Sequence, residues 1–588
     1  MQVQIPESIR EPMAHLPKLR RAKRQLFGIM LVLGFIFSLH LTWSYWASNR
    51  VSTNKVIKAL ENGLPGLQSS EDFSLDRACS EYFALLYKKN KNWSIQDIAN
   101  HGSSKASVID STRHLRIFGH CFLRNSAATS DLDLGDIEHR LFPQFTGLHP
   151  TFTRWDGLTL ESFPNFETPS SGSSIEGSPL FPASSFWKST QRSYNGRGIV
   201  VSLGESGVDD AKRLLRALRA VNNTLPIQFV HKGDISDSTV TALIEAGRNA
   251  MPFLQASHNG NSGNPQDIWF VNARQALEPN SVDLFQRFSN KWIASLFNSF
   301  DEMILMDADS VPFVDPRTLF DAAGYQETGA FFFKDRLINE RVKGREIEFY
   351  RQLLPSRGEG RVFGIREVTN YTLGNPFFSS RYRHLMESGV VLLEKKTHMT
   401  GLLISSVLQL WKVSSEPVWG DKELFWLGQS ISGNENYRFN SNFGGAVGTL
   451  NEGTINSCNY LCATQLAHFS DNKQLLWLNG GFRRCKKMTW TQDYKKIKSL
   501  QKSFNSEADL QTFYLSPVTI DGAVIPTRVR SSFFGLKSSK GGFKKEKSCS
   551  GYLWCGYDDL AETEGTSFRF SDEELENIKL IEQAWSYD

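Results

Sequence analysis

The sequence predicts an α/β fold built on a mostly parallel sheet flanked by helices. Residues 198–203 form an apolar run of strand length, an amphipathic stretch of helical spacing follows, and residues 226–231 form a second run. A strand, a helix and a strand of these lengths make a βαβ unit, in which the two strands run parallel. A third apolar strand pattern, residues 301–305, leads directly to two carboxylates, Asp307 and Asp309.

The N-terminal segment is predicted to be a transmembrane signal anchor. Residues 25–49 contain no Asp, Glu, Lys or Arg, and residues 26–46 are long enough to cross a bilayer. Basic residues are denser before this stretch than after it, so residues 1–24 are expected in the cytosol, the anchor at 25–47 and the remaining chain in the lumen. A cleaved signal peptide is the alternative, but the apolar stretch is long and no small-x-small cleavage site follows it.

Three regions are predicted after the anchor. Residues 48–190 are expected to form a stem and accessory region that ends in a linker rich in Ser, Gly and Pro. Residues 191–500 carry the α/β pattern. Residues 501–588 are expected to be an extension packed on that domain, with a last helix that opens on a capping box between Ser571 and Glu574. The net charge is only +4, and no basic block beyond the membrane flank indicates a nucleic-acid partner.

The seven cysteines agree with a luminal location, since some of them are expected to pair in an oxidising compartment. The short loop between Cys549 and Cys555 is a candidate disulfide. The odd count leaves at least one thiol free or intermolecular.

Asp307 and Asp309 carry the strongest chemical signal. Residues i and i+2 of a strand point to the same face, so both carboxylates are expected to aim together. Carboxylates are hard oxygen ligands, suited to Mg²⁺ or Mn²⁺ that bridges a diphosphate. A helix predicted over residues 284–300 runs into the strand, and Pro312 and Pro316 are expected to end regular structure afterwards. This is the chemistry of a transferase that uses a nucleotide sugar.

Ligands of parallel sheets bind beyond the carboxyl ends of the strands, where Gly204 and Lys232 are expected to join the carboxylate pair. A polar stretch that contains Ser388 and Gly389 leads into another apolar strand, and a glycine there lets the backbone approach a sugar closely. No GxGxxG or Walker A pattern is present, which disfavours dinucleotide and P-loop alternatives.

Asp421 and Glu423 lie beside large aromatic residues at a predicted helix start. Stabilisation of the helix dipole is a sufficient explanation for two carboxylates there, although a functional role is favoured. His468 is a lone histidine among apolar neighbours, and such a histidine is more typical of a satisfied core residue than of a ligand.

Several ordered motifs together resemble the fungal Golgi α-1,3-mannosyltransferase family. The motifs are LMDADSVPF (305–313), ESGVVLLEKK (387–396), GDKELFW (420–426), CATQLAHF (462–469) and LLWLNGG (475–481). The resemblance covers roughly residues 190 to 490 and includes the type II anchor and a cysteine-bearing stem.

This resemblance implies a GT-A fold, GDP-mannose as the donor, Mn²⁺ or Mg²⁺ as the cofactor, and retention of the α configuration. It also implies a set of site residues. The metal ligands would be Asp307, Asp309 and His468, Lys291 would face the donor phosphate with Asp307 and Asp309, and the catalytic carboxylates would be Asp421 and Glu423. Gly204, Ser388 and Gly389, predicted above from the strand pattern, complete the expected donor-binding residues.

The resemblance further implies a Golgi membrane protein that acts on a mannosylated glycan or glycoprotein, in a complex with other Golgi transferases. Two alternatives stay open. One is a transferase of the same fold with another donor or linkage, such as UDP-hexose transfer or α-1,2-mannosylation. The other is a non-catalytic glycan-binding scaffold, which predicts the loss of metal ligands.

Overall fold

The computed structural model describes most of the chain outside the N-terminal segment. The described residues are 53–63, 74–95, 104–127, 132–167, 185–255, 263–338, 340–455, 458–529, 542–560 and 563–587. The predicted cytosolic tail, the membrane anchor and most of the predicted Ser/Gly/Pro linker lie outside them. Within these ranges, none of the helices has the length and apolar content that a bilayer crossing requires.

Twenty-two α-helices are distributed along the described residues. They are α1 (Thr53–Gly63), α2 (Leu75–Lys89), α3 (Lys105–Phe118), α4 (Leu134–Leu141), α5 (Phe186–Ser193), α6 (Val208–Ala220), α7 (Asp237–Arg248), α8 (Pro252–Gln255), α9 (Asn290–Phe297), α10 (Ala323–Thr328), α11 (Gly344–Leu353), α12 (Arg357–Phe363), α13 (Asn370–Leu373), α14 (Pro376–Ser379), α15 (Lys395–Leu410), α16 (Lys412–Ser415), α17 (Lys422–Ile431), α18 (Trp490–Lys496), α19 (Lys498–Ser503), α20 (Glu507–Leu515), α21 (Ser548–Gly551) and α22 (Asp572–Ser586).

Twenty strands are described. They are β1 (Thr151–Arg154), β2 (Thr159–Leu160), β3 (Arg197–Ser202), β4 (Ile227–His231), β5 (Ile268–Asn272), β6 (Glu302–Met306), β7 (Ser310–Pro312), β8 (Ala330–Lys334), β9 (Met386–Glu394), β10 (Arg438–Phe439), β11 (Ala446–Gly448), β12 (Asn451–Ile455), β13 (Cys458–Ala463), β14 (Leu466–Phe469), β15 (Leu475–Asn479), β16 (Gly522–Val529), β17 (Phe543–Lys545), β18 (Trp554–Tyr557), β19 (Asp559–Leu560) and β20 (Thr563–Arg569).

The main sheet has nine strands in the order β10-β8-β9-β6-β3-β4-β5-β1-β2. The central strands β6, β3, β4 and β5 are mutually parallel, and only β9 and β1 run against the direction of the other seven. The predicted βαβ unit is present as β3, α6 and β4. The prediction of a mixed α/β fold with a mostly parallel sheet is therefore confirmed.

Alternate residues of the central strands enter two separate apolar layers. On β6, Met303 and Leu305 belong to the larger core, whereas Ile304 and Met306 belong to the second core, which also contains α6 and the last helix, α22. This alternation follows from the period of two in a strand, and burial on both faces explains the continuous apolar run in the sequence. The carboxylates that follow β6 therefore emerge at the edge of a sheet covered on both faces.

The region predicted to be a stem is part of the packed body from residue 53 onward. Its helices share the larger core with the sheet, and β1 and β2 extend the sheet itself next to β5. The buried guanidinium of Arg116 on α3 donates to Glu359 at 2.7 Å and to the carbonyl oxygens of Leu353 and Ile431 at 2.6 and 2.8 Å. A domain boundary at residue 190 is therefore not seen among the described residues.

Two local predictions need correction. The helix expected over residues 284–300 is short, Asn290–Phe297, because the Ser289 hydroxyl exchanges hydrogen bonds with the Gln286 backbone and holds the preceding residues in 3₁₀ turns. Regular structure also continues through Pro312, which ends β7. This strand lies at the edge of the three-stranded sheet β14-β15-β7, where a proline costs no ladder hydrogen bond.

The disulfide predicted between Cys549 and Cys555 is wrong. The structure pairs Cys79 with Cys121, Cys462 with Cys555, and Cys485 with Cys549. Strand pairing sets the second bond, because Cys462 and Cys555 are direct cross-strand partners on β13 and β18. Cys458, the seventh cysteine, is a buried thiol outside these bonds, as the odd count predicted.

The buried ion pair between Arg116 and Glu359 provides a test of this architecture. Replacing Glu359 by Gln leaves the Arg116 guanidinium buried without its counter-charge, so we expect destabilisation of about 3–5 kcal/mol. Thermal unfolding of the purified protein measures the loss. The exposed Glu367→Gln variant, which removes the same charge from the surface, should unfold at the wild-type temperature; equal unfolding temperatures for both variants would refute the packing role of the pair.

Candidate active site

Asp307 follows the last residue of β6 and is fixed by the neighbouring antiparallel strand. Its backbone N–H donates to the Gly389 carbonyl at 2.8 Å, and the Ser310 hydroxyl donates to the same oxygen at 3.1 Å. These bonds hold the turn between β6 and β7 against β9. The Asp307 carboxylate is thereby presented at the edge of the sheet, where the prediction placed it.

Lys291 is the centre of the site. It lies in the first turn of α9, is buried, and binds the Asp307 carboxylate at 2.8 Å and the Asp421 carboxylate at 3.1 Å. It also donates to the carbonyl and hydroxyl oxygens of Ser388 at 3.0 and 3.1 Å. Burial alone lowers the pKa of Lys291, but the charges of Asp307 and Asp421 outweigh it and raise the pKa well above the usual range. Lys291 is therefore a buried charged group that joins three separate segments of the chain.

The Asp307 carboxyl has a raised pKa. Burial raises its pKa most; Lys291 lowers it, and the charges of Asp309 and Asp421 raise it again, to about 7. Three carboxylates thus crowd a site that contains fewer cations than the negative charge requires. A further cation at this position would be electrostatically favoured.

Asp309 is held by a separate loop. Its carbonyl oxygen accepts hydrogen bonds from Gly480 and Gly481, both at 3.0 Å, and its carboxylate forms an ion pair with Lys486. Gly480 and Gly481 have φ values of +102° and +64°, which side-chain-bearing residues rarely adopt. The Asn479-Gly480-Gly481 segment, which the sequence indicated only as a turn, therefore builds the site.

Lys486 was not predicted, although it belongs to a run of four basic residues, 483, 484, 486 and 487, that could have drawn attention to it. Its side chain is 41% exposed and reaches Asp309 from the segment tied by the Cys485–Cys549 disulfide. Burial lowers the pKa of Lys486, but Asp309 outweighs this effect and raises it. It is the partly exposed cation of the site.

A second layer of ion pairs supports the first. Lys422 bridges Asp335 at 2.7 Å and Glu387 at 2.5 Å, and Glu387 also accepts from Asn479 at 2.8 Å. Burial raises the pKa of Glu387, but the Lys422 charge lowers it overall. The lysine within the GDKE motif, rather than its acids alone, thus connects β8, β9 and α17.

Asp421 and Glu423 have different environments. Asp421 faces Lys291, as described above. Glu423 is buried and accepts hydrogen bonds from the backbone N–H groups of Leu385 and Met386 at 2.6 and 3.1 Å, and from the indole of Trp426 at 2.6 Å. Glu423 is thus outside the ion-pair network around Lys291 in the described part of the chain. It anchors the start of β9 to α17, and the prediction of a catalytic pair needs this correction.

His468 is buried against aromatic rings, within electrostatic range of Glu387, Asp335 and Lys422. Its ring stacks on Trp477 with centroids 4.0 Å apart, and neither buried ring nitrogen has a hydrogen-bond partner among the described residues. Burial lowers the pKa of His468 to about 3, so the ring is neutral. The described residues contain no group of three His, Cys, Asp or Glu side chains arranged to hold a metal, so the structure does not assemble the predicted set of Asp307, Asp309 and His468.

The predicted glycines have different roles. A Cβ at Gly389 would lie 2.7 Å from the Trp477 ring, so the glycine is required for packing against that ring rather than for a sugar contact. Gly204 follows β3 at the same sheet edge as Asp307, and a Cβ there would meet only the Asp234 carboxylate at 3.8 Å. The Lys232 ammonium donates to the Phe285 carbonyl at 2.7 Å.

The two carboxylates of Asp307 and Asp309 nevertheless fit a divalent cation of the magnesium or manganese type. Such ions use one or two protein carboxylates and complete their shell with water and substrate phosphate. The crowded negative charge around Asp307 provides the electrostatic reason for binding.

An aromatic rim borders the carboxylates. The side chains of Phe288 and Trp419 are 55% and 49% exposed. Gly420, which follows Trp419, has a φ of +61° and packs against the Phe288 ring so closely that a Cβ on this glycine would lie 3.0 Å from the ring. Trp419 stacks on His384 with ring centroids 5.7 Å apart. Phe288 lies three residues before Lys291 and Trp419 two residues before Asp421, so two partly exposed rings lie close to the charge cluster. The Arg383 guanidinium also packs over the Trp419 ring, 5.0 Å from its centroid. Large apolar faces left exposed beside a polar site are typical of a binding surface.

The enclosure of Glu423 leads to a stability prediction. Replacing Glu423 by Gln turns an acceptor into an NH₂ donor that faces other donors, so we expect a loss of about 1–3 kcal/mol. Differential scanning fluorimetry gives the change in unfolding temperature. Glu416→Gln, an exposed site on the preceding segment, is the matched control; unchanged stability in Glu423→Gln would show that the three hydrogen bonds do not anchor β9.

Comparison with known proteins gives a consistent result. A family model described as "Mannosyltransferase putative" matches residues 196–470. "Probable alpha-1,3-mannosyltransferase MNT4" of Saccharomyces cerevisiae is 31% identical over 86% of this chain and 88% of its own. "Alpha-1,3-mannosyltransferase MNT2" of the same yeast is 28% identical over 97% of this chain and its whole length.

Longer relatives are matched over part of their length. "Putative alpha-1,3-mannosyltransferase MNN1" of Candida albicans is 33% identical over 74% of this chain but only 59% of the relative. Four such Candida proteins are covered over 55–64% of their length. Among solved structures, the S. cerevisiae mannosyltransferase Ktr4p in complex with GDP matches 57% of this chain and 84% of its own, at 10% identity and a TM-score of 0.26.

Proposed function

Because the chain belongs to the fungal α-1,3-mannosyltransferase family, we propose that it transfers a mannosyl group from GDP-mannose to a hydroxyl of a mannosylated glycan, in α-1,3 linkage. The observation that carries the proposal is the ion-pair cluster of Asp307, Lys291 and Asp421, with Asp309 beside it, at the carboxyl edge of the parallel strands. GDP-mannose is an α-glycoside, so an α-linked product requires retention. The sheet topology supports a GT-A-like assignment.

Charge requirements define the roles of the residues. When the bond from mannose C1 to phosphate breaks, negative charge grows on the departing diphosphate and positive charge on the sugar. Asp307 and Asp309 would hold Mn²⁺ or Mg²⁺, which acts on the diphosphate as a Lewis acid and template. Lys486 is partly exposed beside Asp309, so it supplies a second positive group to the leaving diphosphate.

Lys291 and Asp421 position the other groups. Lys291 is buried and saturated by Asp307, Asp421 and Ser388, so it sets the orientation of the Asp307 carboxylate rather than contacting phosphate. Asp421 contacts the same Lys291 ammonium at 3.1 Å. Preorganised charges of this kind need no rearrangement during the reaction, which is the main source of electrostatic catalysis.

The aromatic rim would bind the acceptor. The C–H face of a pyranose ring stacks on an exposed aromatic ring, and about half of the Trp419 and Phe288 side-chain surface is exposed near Asp421. The three disulfides support an oxidising compartment. We propose that the catalytic body lies in the lumen of the Golgi, behind a single-pass type II anchor.

Donor and metal can be tested together with the purified full-length protein. We expect Mn²⁺-dependent turnover of GDP-mannose, no turnover of UDP-hexoses, and loss of activity on chelation. Asp309→Asn should lose about 100-fold or more in rate, the scale of removing a preorganised electrostatic contact.

The exposed Asp321→Asn variant removes the same charge elsewhere and should retain full activity. Turnover of a UDP-sugar, or an α-1,2-linked product identified by NMR, would establish one of the alternative transferases instead. Glycan binding without turnover of any donor would favour the non-catalytic scaffold.

The rim gives a separate prediction. Trp419→Ala should raise the KM for a mannobiose acceptor about tenfold, since stacking of one ring contributes about 0.5–1.5 kcal/mol or more. The rate of GDP-mannose hydrolysis without acceptor should not change, because Trp419 is outside the charge cluster. Tyr587→Ala removes another exposed aromatic ring as the control. Equal losses of hydrolysis and transfer in Trp419→Ala would contradict an acceptor role.

A further inference from the structure

A second polar cavity of about 640 Å³ lies apart from the carboxylate cluster. Its size is in the range of small-ligand sites. Four elements meet there: α5, the π-helical turn Gly119–Arg124, the start of α15 and the segment after α17. The described lining residues are His120, Leu123, Arg124, Lys188, Gln191, Arg192, Lys396, Thr397, Thr400, Gly401, Ser432, Asn434 and Asn436.

Position separates this cavity from the proposed catalytic site. Lys396 forms an ion pair with Asp301 at 3.1 Å, and Asp301 immediately precedes β6. Asp307 follows β6 at its other end. Five strand residues span about 16 Å, so the two sites are at opposite edges of the sheet. The cavity is therefore not an extension of the donor site.

Most of the positive charge that lines the cavity has no carboxylate partner among the described residues. No carboxylate is among its described lining residues. Among the described residues, Lys188 donates to neutral acceptors, the Leu123 carbonyl at 2.6 Å and the Gln191 side chain at 3.3 Å. Arg124 and Arg192 form no ion pair with any described residue. Of the four lining lysines and arginines, Lys396 is therefore the one with a described carboxylate partner.

Two carboxylates lie near the cavity without lining it. Glu435, between two lining asparagines, accepts hydrogen bonds from the backbone of Thr369 and Thr372. Glu394 accepts from the hydroxyl of the lining residue Thr397 at 2.9 Å. Neither forms an ion pair with Arg124, Arg192 or Lys188 among the described residues, so these three cations keep no carboxylate partner there.

Two titratable groups respond to this positive field. Burial lowers the pKa of Lys188, and the charge of Arg192 lowers it further. Burial also lowers the pKa of His120, and the charge of Arg124 adds to the effect. A bound anion would relieve both repulsions.

We propose that this cavity is a binding site for a phosphorylated carbohydrate. Arginine and lysine are the residues that bind phosphate, Arg by paired N–H groups and Lys as a point charge. The hydroxyl and amide groups of Thr397, Thr400, Asn434 and Asn436 suit sugar hydroxyls. No Phe, Tyr or Trp ring is among the described lining residues, and the His120 imidazole is mostly buried, so a sugar phosphate fits better than a nucleotide that needs a large ring on which to stack its base.

The test is calorimetric titration of the full-length protein with mannose 6-phosphate, mannose and inorganic phosphate. Mannose 6-phosphate should bind saturably, inorganic phosphate at least tenfold more weakly, and mannose not detectably. Arg124→Gln and Arg192→Gln should each weaken mannose 6-phosphate binding about tenfold or more, the scale of a hydrogen bond to a charged group. Both side chains are exposed, so the substitutions should leave the fold intact.

Arg357→Gln removes the same charge from an exposed helix start outside the cavity and should bind like the wild type. Transfer from GDP-mannose without sugar phosphate should be unchanged in all three variants, which separates this proposal from the proposed function. The proposal is overturned if mannose 6-phosphate does not bind, or if inorganic phosphate binds as tightly as mannose 6-phosphate. It is also overturned if both cavity variants bind mannose 6-phosphate with the affinity of the wild type. Binding to anionic vesicles that both cavity variants lose, without sugar-phosphate binding, would assign the surface to a membrane instead.

Discussion

The active-site architecture depends on one buried cation, Lys291. Asp307, Asp421 and Ser388 come from three segments far apart in the sequence, and each contacts this one ammonium group. Without a charge between them, the buried Asp421 carboxylate and the partly buried Asp307 carboxylate would repel each other, which favours protonation of one of them. The ion pairs cost desolvation, so their value is geometric: they fix where the carboxylates point.

Lysines also separate or compensate the other carboxylates around Lys291. Lys422 separates Asp335 from Glu387, and Lys486 compensates Asp309. Each carboxylate at the sheet edge thus has a nearby lysine, but the lysines differ in burial. The buried Lys291 is committed to structure, whereas Lys486 is partly exposed, which makes it the cation available to a substrate phosphate.

The sheet gives the site its position, and the C-terminal segments complete it. The β14–β15 hairpin adds β15 to β7, and its glycine turn binds the Asp309 carbonyl. Trp585 on the last helix packs at Gly481, and the Cys485–Cys549 disulfide ties the Lys486 segment to residues more than sixty positions later. The second cavity uses the opposite edge of the same sheet, so one scaffold supports two polar sites that share no described residue.

Local sequence determined the fold class, the strand that precedes Asp307 and the family motifs. Those features follow from periodicity and from residues adjacent in the chain, where strand alternation and capping chemistry act over a few positions. Long-range contacts decided the rest. Asp421 and Glu423 are two residues apart, yet one faces Lys291 and the other anchors β9, and no local pattern distinguishes two acids at a helix start. Gly389 leaves room for the Trp477 ring, and His468 packs against aromatic rings. Lys486 pairs with Asp309, which lies 177 positions earlier in the sequence. Burial and pairing of charges depend on which segments meet in three dimensions, so only the tertiary structure could assign them.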